Sequence, residues 1–372
     1  MNLRDFGKRN GLKVAPVSIG AMRLPRDVTD AVKLVRHAID SGMRYIDTSR
    51  GYGESEFVLS RALKDSYREK VILSTKCSPW IMKVKQDDET TAESTLHRIK
   101  ESILRLGVDY LDYYQIWNID SREHYEQATT PGGMLDGVRQ AQKEGLVKRT
   151  GFTTHDSVEN LLSYMDEIDW CDIILFTYNA FNTEYAPAIE AAHTKGIGTI
   201  VMNPMGGGNL AEESPVLSKL AADCGADSMP DLAIRYVLSN PDVDTILCGM
   251  TKLSDVDNTI ASAEKPSFSS DQISTINAKI KELSRENVGF CTQCKYCMPC
   301  PQGINIPAVM NAIYEYRFLG RKEYAKKLYG WIKEAKAGSC TKCGQCEEKC
   351  TQHLKIMNEM VFAVATFETK ES

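Results

Sequence analysis

The sequence predicts a (β/α)8 TIM barrel followed by a small, mainly α-helical module. Three observations lead there. Over residues 1–284 of the 372, eight short apolar runs alternate with amphipathic stretches, the rhythm of a parallel barrel. Eight of the twelve cysteines fall between Cys291 and Cys350. Charge divides at the same place: from Ser284 onward 13 Lys and Arg stand against 9 Asp and Glu, whereas the part before it carries 32 against 41. The expected domains are therefore 1–284 and 285–372.

The strands are read, in order, at Val17–Met22, Tyr45–Ser49, Val71–Cys77, Leu111–Trp117, Arg149–Thr154, Ile173–Asn179, Gly198–Pro204 and Thr245–Met250. Between them lie helical patterns at Asp30–Ser41, Glu56–Lys64, Thr91–Leu106, Met134–Lys143, Ser157–Met165, Ala186–Thr194 and Asp231–Leu238. Leu96, Ile99, Ile103, Leu104 and Leu106 approximate one helical face. Thr154-His-Asp-Ser supplies capping oxygens ahead of the fifth helix. A doubly wound open sheet is the alternative, weakened because no G-x-G-x-x-G follows the first strand. In the tail, Ile306–Tyr316 and Lys322–Ala335 read as helices.

Composition narrows the function classes. A hydrophobic share of 42% and a charged share of 26% are those of a globular protein. A net charge of −5 argues against a nucleic-acid partner. No apolar run approaches the ~20 residues a bilayer span needs, and the opening MNLRDFGKRNGLKV lacks the apolar core of a signal peptide. The expectation is a cytoplasmic protein without a membrane partner.

The tail cysteines form two groups, Cys291-Thr-Gln-Cys294-Lys-Tyr-Cys297-Met-Pro-Cys300-Pro and Cys340-Thr-Lys-Cys343-Gly-Gln-Cys346-Glu-Glu-Lys-Cys350. Three thiolates at two-residue intervals can wrap a cube and supply three corners. Two zinc sites are the alternative, but zinc ligands usually come as spaced C-x2-C pairs. The triple spacing, twice, resembles the two-cluster ferredoxins, in which the fourth cysteine of each group serves the other cluster. The resemblance implies two [4Fe-4S] clusters, one on Cys291, Cys294, Cys297 and Cys350, the other on Cys340, Cys343, Cys346 and Cys300. The first group's last gap is two residues rather than three, and the second ends in Cys-Thr rather than Cys-Pro. The intervening helical patterns make the module ferredoxin-like of the helical kind. Oxygen-sensitive clusters imply an anaerobic or strongly reducing cytoplasm.

Strand ends of a barrel carry its chemistry. Here they read Asp47-Thr-Ser-Arg-Gly-Tyr52-Gly-Glu-Ser-Glu56, Thr75-Lys76-Cys77, Gln115-Ile-Trp117-Asn118, Gly151-Phe-Thr-Thr-His155 and Asn203-Pro-Met-Gly-Gly-Gly208. With Asp109-Tyr-Leu-Asp-Tyr-Tyr they resemble the aldo-keto reductase superfamily over the first ~285 residues, and with the tail the subgroup that carries a ferredoxin-like C-terminus. The resemblance implies hydride transfer between NADP(H) or NAD(H) and a carbonyl or hydroxyl group of a small carbonyl or sugar substrate. Tyr52 would be the proton donor, its pKa lowered by the Lys76 ammonium, with Asp47 holding Lys76. The family's histidine at the end of strand 4 is replaced by Trp117, whose indole donates one hydrogen bond and cannot carry a proton. Trp117 stacking on substrate, His155 supplying the imidazole, and loss of the reaction are the open readings.

For the dinucleotide, the resemblance points to Thr153 and Thr154 at the carboxamide, Gly206, Gly207 and Gly208 at the pyrophosphate, and Gly249, Thr251 and Lys252 at the adenosine end. Lys252 suits a 2′-phosphate, whereas Asp255 suits ribose hydroxyls, so NADPH and NADH both fit. Arg50 is read as an anion contact or a partner of Glu54, and Glu56 as a site carboxylate or a helix-end acid. Hydride moves two electrons and clusters one, which leaves three uses for the clusters: exchange with a redox partner protein (ferredoxin or flavoprotein), action at the substrate, or support of the tail. The alternative function is a non-catalytic, degenerate barrel that serves a partner as an electron-transfer or cofactor-sensing module.

Overall fold

The computed structural model describes residues 1–9, 11–81, 89–286 and 291–369, with no side-chain description at 284–286. Eight parallel strands close into a barrel: β1 (Val17–Gly20), β2 (Tyr45–Asp47), β3 (Ile72–Cys77), β4 (Leu111–Ile119), β5 (Val147–Thr154), β6 (Ile173–Thr177), β7 (Gly198–Met202) and β8 (Thr245–Cys248). Each pairs with the next, and β8 returns to β1. All eight expected strands are present, and their ends move for local reasons. β6 stops at Thr177 because Asn179 turns to bridge Asn182. β4 runs on to Ile119 through a register shift between Ile116 and Ile119, a β-bulge that bends the strand and re-aims its side chains.

Helix ends follow capping chemistry. Asp27 caps Val28–Asp40 by accepting from Asp30 N. Thr91 caps Ala92–Leu106, which ends at left-handed Gly107, φ +62°. Helices that the expected list lacks include Arg122–Thr129, in which only Tyr125 and Ala128 are buried, and Pro215–Asp223. The former presents too little apolar surface for its period to register. Gly151 has a steric reason: a Cβ there would lie 2.1 Å from the Ile173 carbonyl oxygen.

An antiparallel pair, Arg4–Asp5 with Lys13–Val14, precedes the barrel. Phe6 packs edge-on against Tyr45 and Tyr113, ring centroids 5.3 and 5.6 Å away. Gly7 N and Thr199 N both donate to Asp244 Oδ2 at 3.0 Å, just ahead of β8. These contacts fill the end where the strands begin and leave the opposite end to the site.

The chain forms two compact units. One comprises Met1–Tyr178, Glu184–Pro204 and Val237–Ser267; the other Asn179–Thr183, Met205–Tyr236 and Phe268–Ser372. The second has a core from the helices Ile306–Arg317, Lys322–Gly330 and Ile356–Ala363, including Val309, Ile313, Tyr329 and Met360. Six of its cysteines (291, 297, 300, 340, 346 and 350) pack against that core. Arg317 Nη1 donates to both oxygens of Glu359 at 3.0 Å, tying two of the helices. Among the described residues no helix is long and apolar enough to cross a membrane.

Candidate active site

β2, β3 and β4 bring one polar cluster to their C-terminal ends. Lys76 and Asp47, 1% and 2% exposed, are joined by a hydrogen bond from Nζ to Oδ1, and Nζ also donates to the Thr48 carbonyl at 3.0 Å. Lys76 and Gln115 are register partners across β3 and β4. That places Gln115 Nε2 2.8 Å from Asp47 Oδ2 and 2.8 Å from Ser74 Oγ. Gln115 was not singled out from the sequence as a site residue. Its signal was an amide in the middle of a largely apolar, aromatic run, since a polar group buried there requires partners.

Burial lowers Lys76 below its ordinary value, with Asp47 opposing. Burial likewise raises Asp47, with Lys76 and Gln115 opposing. Tyr52 sits on the loop after β2, with Lys76 Nζ 4.8 Å from its ring centroid. The lowered phenol pKa expected from the sequence is not what the structure holds. Burial first, and Asp47 second, push Tyr52 well above the ordinary phenol value. The reason is that Lys76 directs its charge to Asp47 and lies over the ring.

Helix Ala92–Leu106 clamps the tyrosine loop. Arg50 pairs with Glu101 at 2.8 Å rather than with Glu54. Arg105 Nε donates to Glu56 Oε2 at 2.7 Å, and its Nη2 donates to the Gly53 carbonyl at 3.2 Å. Glu56 is fully buried and accepts from Thr75 at 2.8 Å, a clamp rather than a site carboxylate.

Trp117 packs edge-on against Tyr52, centroids 5.3 Å apart at 84°. It lies in the β4 bulge, and Asn118 beside it has φ +67°, a left-handed conformation that Asn tolerates better than most residues. Asn118 N leaves the ladder and donates to Thr153 Oγ1 at 2.8 Å. Asn118 Oδ1 and the nearby Ser78 Oγ are buried without hydrogen-bond partners, two polar atoms at the strand ends suited to a polar ligand. Thr154 Oγ1 donates to the Ile119 carbonyl at 2.8 Å, so the Thr153 and Thr154 hydroxyls are engaged in holding the bulge. His155 Nδ1 lies 3.4 Å from Thr177 Oγ1.

Gly249, Thr251 and Lys252 follow β8. Asp255 accepts from Thr251 N, Thr251 Oγ1 and Lys252 N at 2.9, 3.1 and 3.2 Å. Its Oδ2 caps the helix Leu253–Glu264 from within. The exposed Lys252 ammonium lies 3.9 Å from Asp255. In the other unit, Gly206, Gly207 and Gly208 have φ +55°, +76° and +100°. The space a Gly207 Cβ would take is filled by Thr292, whose Cα would be 3.0 Å away.

The eight tail cysteines lie on two loops and near the start of the last helix of the second unit. Cys291, Cys294, Cys297 and Cys350 act on one another electrostatically: burial and these neighbouring thiols push Cys291 and Cys297 up to about 12. Cys300, Cys340, Cys343 and Cys346 line one cavity, with Cys297, Ile304 and Met360 among its other walls. Among the described residues no three His, Cys, Asp or Glu side chains gather tightly enough for a single ion. Both loops repeat a backbone device. Gln293 and Lys295 flank Cys294 with φ +58° and +68°, as Lys342 and Gly344 flank Cys343 with +56° and +82°. Such strain persists where the surroundings impose it. Leu354 N donates to Cys350 Sγ at 3.4 Å and Gln293 Nε2 to Cys291 Sγ at 3.6 Å, contacts of the kind that tune cluster potentials. The all-cysteine donor sets fit iron–sulfur cubes, whose charge allows crowded thiols to ionise together.

The aldo/keto reductase family model matches residues 16–281, and a 4Fe-4S dicluster domain model matches 290–355. L-galactose dehydrogenase of Arabidopsis thaliana is 29% identical over 303 residues, 73% of this chain and 91% of that protein. 6-Dehydroglucose reductase of Novosphingobium aromaticivorans is 30% identical over 241 residues, 59% of this chain and 74% of that protein. Among solved structures, the holo form of aldo-keto reductase AKR11C1 from Bacillus halodurans superposes with a TM-score of 0.65 at 19% identity, covering 75% of this chain and 96% of that one. The closed eight-stranded barrel, the Asp–Lys–Tyr cluster at its strand ends and these matches agree: the chain belongs to the aldo/keto reductase family, and it carries a C-terminal 4Fe-4S dicluster domain.

Proposed function

We propose that the protein reduces the carbonyl of a small sugar-type substrate with NADPH or NADH, in a barrel over 1–284, and that the cysteine module over 285–372 holds two [4Fe-4S] clusters. The observation that carries the reading is the buried Lys76–Asp47–Gln115 cluster under the Tyr52 ring. The sugar class is supported by the two relatives named for galactose and dehydroglucose. A nicotinamide dinucleotide would supply the hydride. Tyr52, raised above the ordinary phenol value, keeps its proton at neutral pH and gives it to the carbonyl oxygen as the carbon is reduced. Lys76 lies over the Tyr52 ring, held there by Asp47, which Gln115 holds in turn. Trp117 fixes the Tyr52 ring from its edge and presents one indole donor to the substrate. His155 and the unpartnered Asn118 Oδ1 and Ser78 Oγ are the polar groups for orienting substrate and carboxamide. Thr153 and Thr154 support the carboxamide site through the bulge. Gly206 to Gly208 serve the pyrophosphate, and Gly249, Thr251 and Lys252 the adenosine end. The clusters would supply one-electron transfer to a ferredoxin or flavoprotein partner.

Single-turnover oxidation of NADH and NADPH by a panel of aldoses, keto-sugars and simple aldehydes tests the proposal. Tyr52→Phe should slow the responding substrate about 10²- to 10⁴-fold, the range of general acid catalysis. Full nucleotide binding with no turnover, or turnover untouched by the substitution, would replace this reading with the non-catalytic one.

A further inference from the structure

The segment Met205–Tyr236 lies between barrel strands in sequence but belongs to the compact unit that carries the clustered cysteines. Its glycine run is held there by contacts of several kinds. Asn209 Nδ2 donates to the carbonyl oxygen of Cys291 at 3.0 Å. The carbonyl of Asn209 accepts in turn from the Tyr314 hydroxyl. Thr292, the residue after Cys291, fills the space left by the missing Gly207 side chain. Further along, the buried Ser214 hydroxyl donates to the Phe318 carbonyl, and Arg321 Nη2 donates to the Glu213 carbonyl at 3.2 Å. Within the run itself, Gly208 N and Leu210 N both donate to the Met205 carbonyl, at 3.0 and 3.2 Å. Three consecutive glycines with positive φ have much freedom to lose when a ligand orders them. Here that freedom is removed in advance by the carbonyl of Cys291, a cysteine of the first proposed thiol set, and by Thr292 that follows it.

We propose that occupancy of the first cysteine cage (Cys291, Cys294, Cys297 and Cys350) sets the affinity of the glycine run for a dinucleotide pyrophosphate, with Asn209 as the positioning residue that transmits it. This rests on the dinucleotide role proposed above for Gly206 to Gly208. A ligated Cys291 fixes its own carbonyl and Thr292. These hold Asn209 and Gly207, and the run is presented already folded. Without the cluster the Cys291 loop loosens, and the run must be ordered by the nucleotide itself. Linkage makes the effect reciprocal: bound nucleotide protects the first cluster.

The test uses the full chain, prepared anaerobically with its iron and again after iron is removed with a chelator. NADH and NADPH are titrated by nicotinamide fluorescence into each form, and into Asn209→Ala in each form. Iron removal should weaken nucleotide binding about tenfold, within the ordinary range of allosteric coupling. Asn209→Ala should weaken it about three- to tenfold in the iron-loaded protein, the worth of one hydrogen bond, with iron content unchanged. In the iron-free protein the substitution should have no effect, a non-additivity that a merely structural role would not produce. Should Asn209→Ala fold poorly, Tyr314→Phe removes the other bond to the same residue and should act in the same direction. Equal affinity with and without iron, or an equal effect of the substitution in both forms, overturns the coupling. Hydrogen exchange at 206–211 without nucleotide separates this from the underlying reading. Faster exchange on iron loss with no nucleotide binding at all would reject the dinucleotide role and, with it, the affinity effect. Unchanged exchange would reject the coupling alone.

Discussion

Replacing Gln115 with leucine separates the chemistry of the site from its stability. The wild-type amide donates to Asp47 Oδ2 and Ser74 Oγ, both at 2.8 Å, while its own Oε1 is buried without a partner. Loss of a hydrogen bond to a charged group costs about 1.5–3 kcal/mol, and loss of the neutral one about 0.5–1.5 kcal/mol. Removing the orphaned oxygen returns about 1–3 kcal/mol, and leucine nearly conserves volume. The net change in stability is therefore about 1–2 kcal/mol, a fall in Tm of about 2–8 °C. The effect on the site is larger. Gln115 is one of the groups holding the Asp47 pKa down against burial, so its loss raises that pKa further. Asp47 then protonates at higher pH, and Lys76 loses its partner. The lost hydrogen bond to the charged Asp47 sets the scale at about 1.5–3 kcal/mol, so kcat should fall about 10- to 100-fold with KM within about threefold. The acidic limb of the pH–rate profile should move to higher pH. Steady-state kinetics from pH 5 to 9 and a thermal melt measure both. An unchanged kcat at the expected Tm would show that Asp47 does not need Gln115 for its role. A Tm fall beyond about 15 °C would show that Gln115 is part of the scaffold alone.

Because Tyr52 is held above the ordinary phenol value by burial and Asp47, it is protonated near neutrality. Carbonyl reduction should be flat from about pH 6 to 9, while alcohol oxidation, which needs the phenolate, should rise through that range; parallel initial-rate profiles would show it. Asp244 is raised from 3.8 to about 6, chiefly by burial. The folded state therefore holds this proton more tightly than the unfolded one, and stability falls as pH rises from about 4 to 6. The loss is on the order of 3 kcal/mol. Asp244→Asn keeps an acceptor for Gly7 and Thr199, so it should flatten that part of a melt-versus-pH curve. In the cysteine module, Cys343→Ser should lower iron from about eight to about four atoms per chain, and Cys300→Ser should affect the same cluster spectroscopically. Loss of the other cluster's signal in Cys300→Ser would refute the exchange of fourth ligands.

By itself the sequence determined whatever repeats or sits close along the chain. Eight apolar runs gave eight strands, and the triple-cysteine spacing gave two loops with the same pair of left-handed residues around the central thiol. Asp47, Tyr52 and Lys76 were legible because they end strands or follow them directly. The tertiary structure alone decided partners. Arg50 chose Glu101 over its neighbour Glu54 because helix Ala92–Leu106 packs beside the tyrosine loop. Asp255 turned back to cap its own helix. Gln115 met Asp47 only because β3 and β4 share a register. The bulge that aims Trp117 has no local signal, since Asn118 adopts its backbone for a bond to Thr153 on the next strand. The glycine run joined the cysteine unit through Cys291, 82 residues beyond Asn209. Period and spacing express local geometry, whereas these choices depend on which distant surfaces meet when the core is buried, and no stretch of chain encodes that alone.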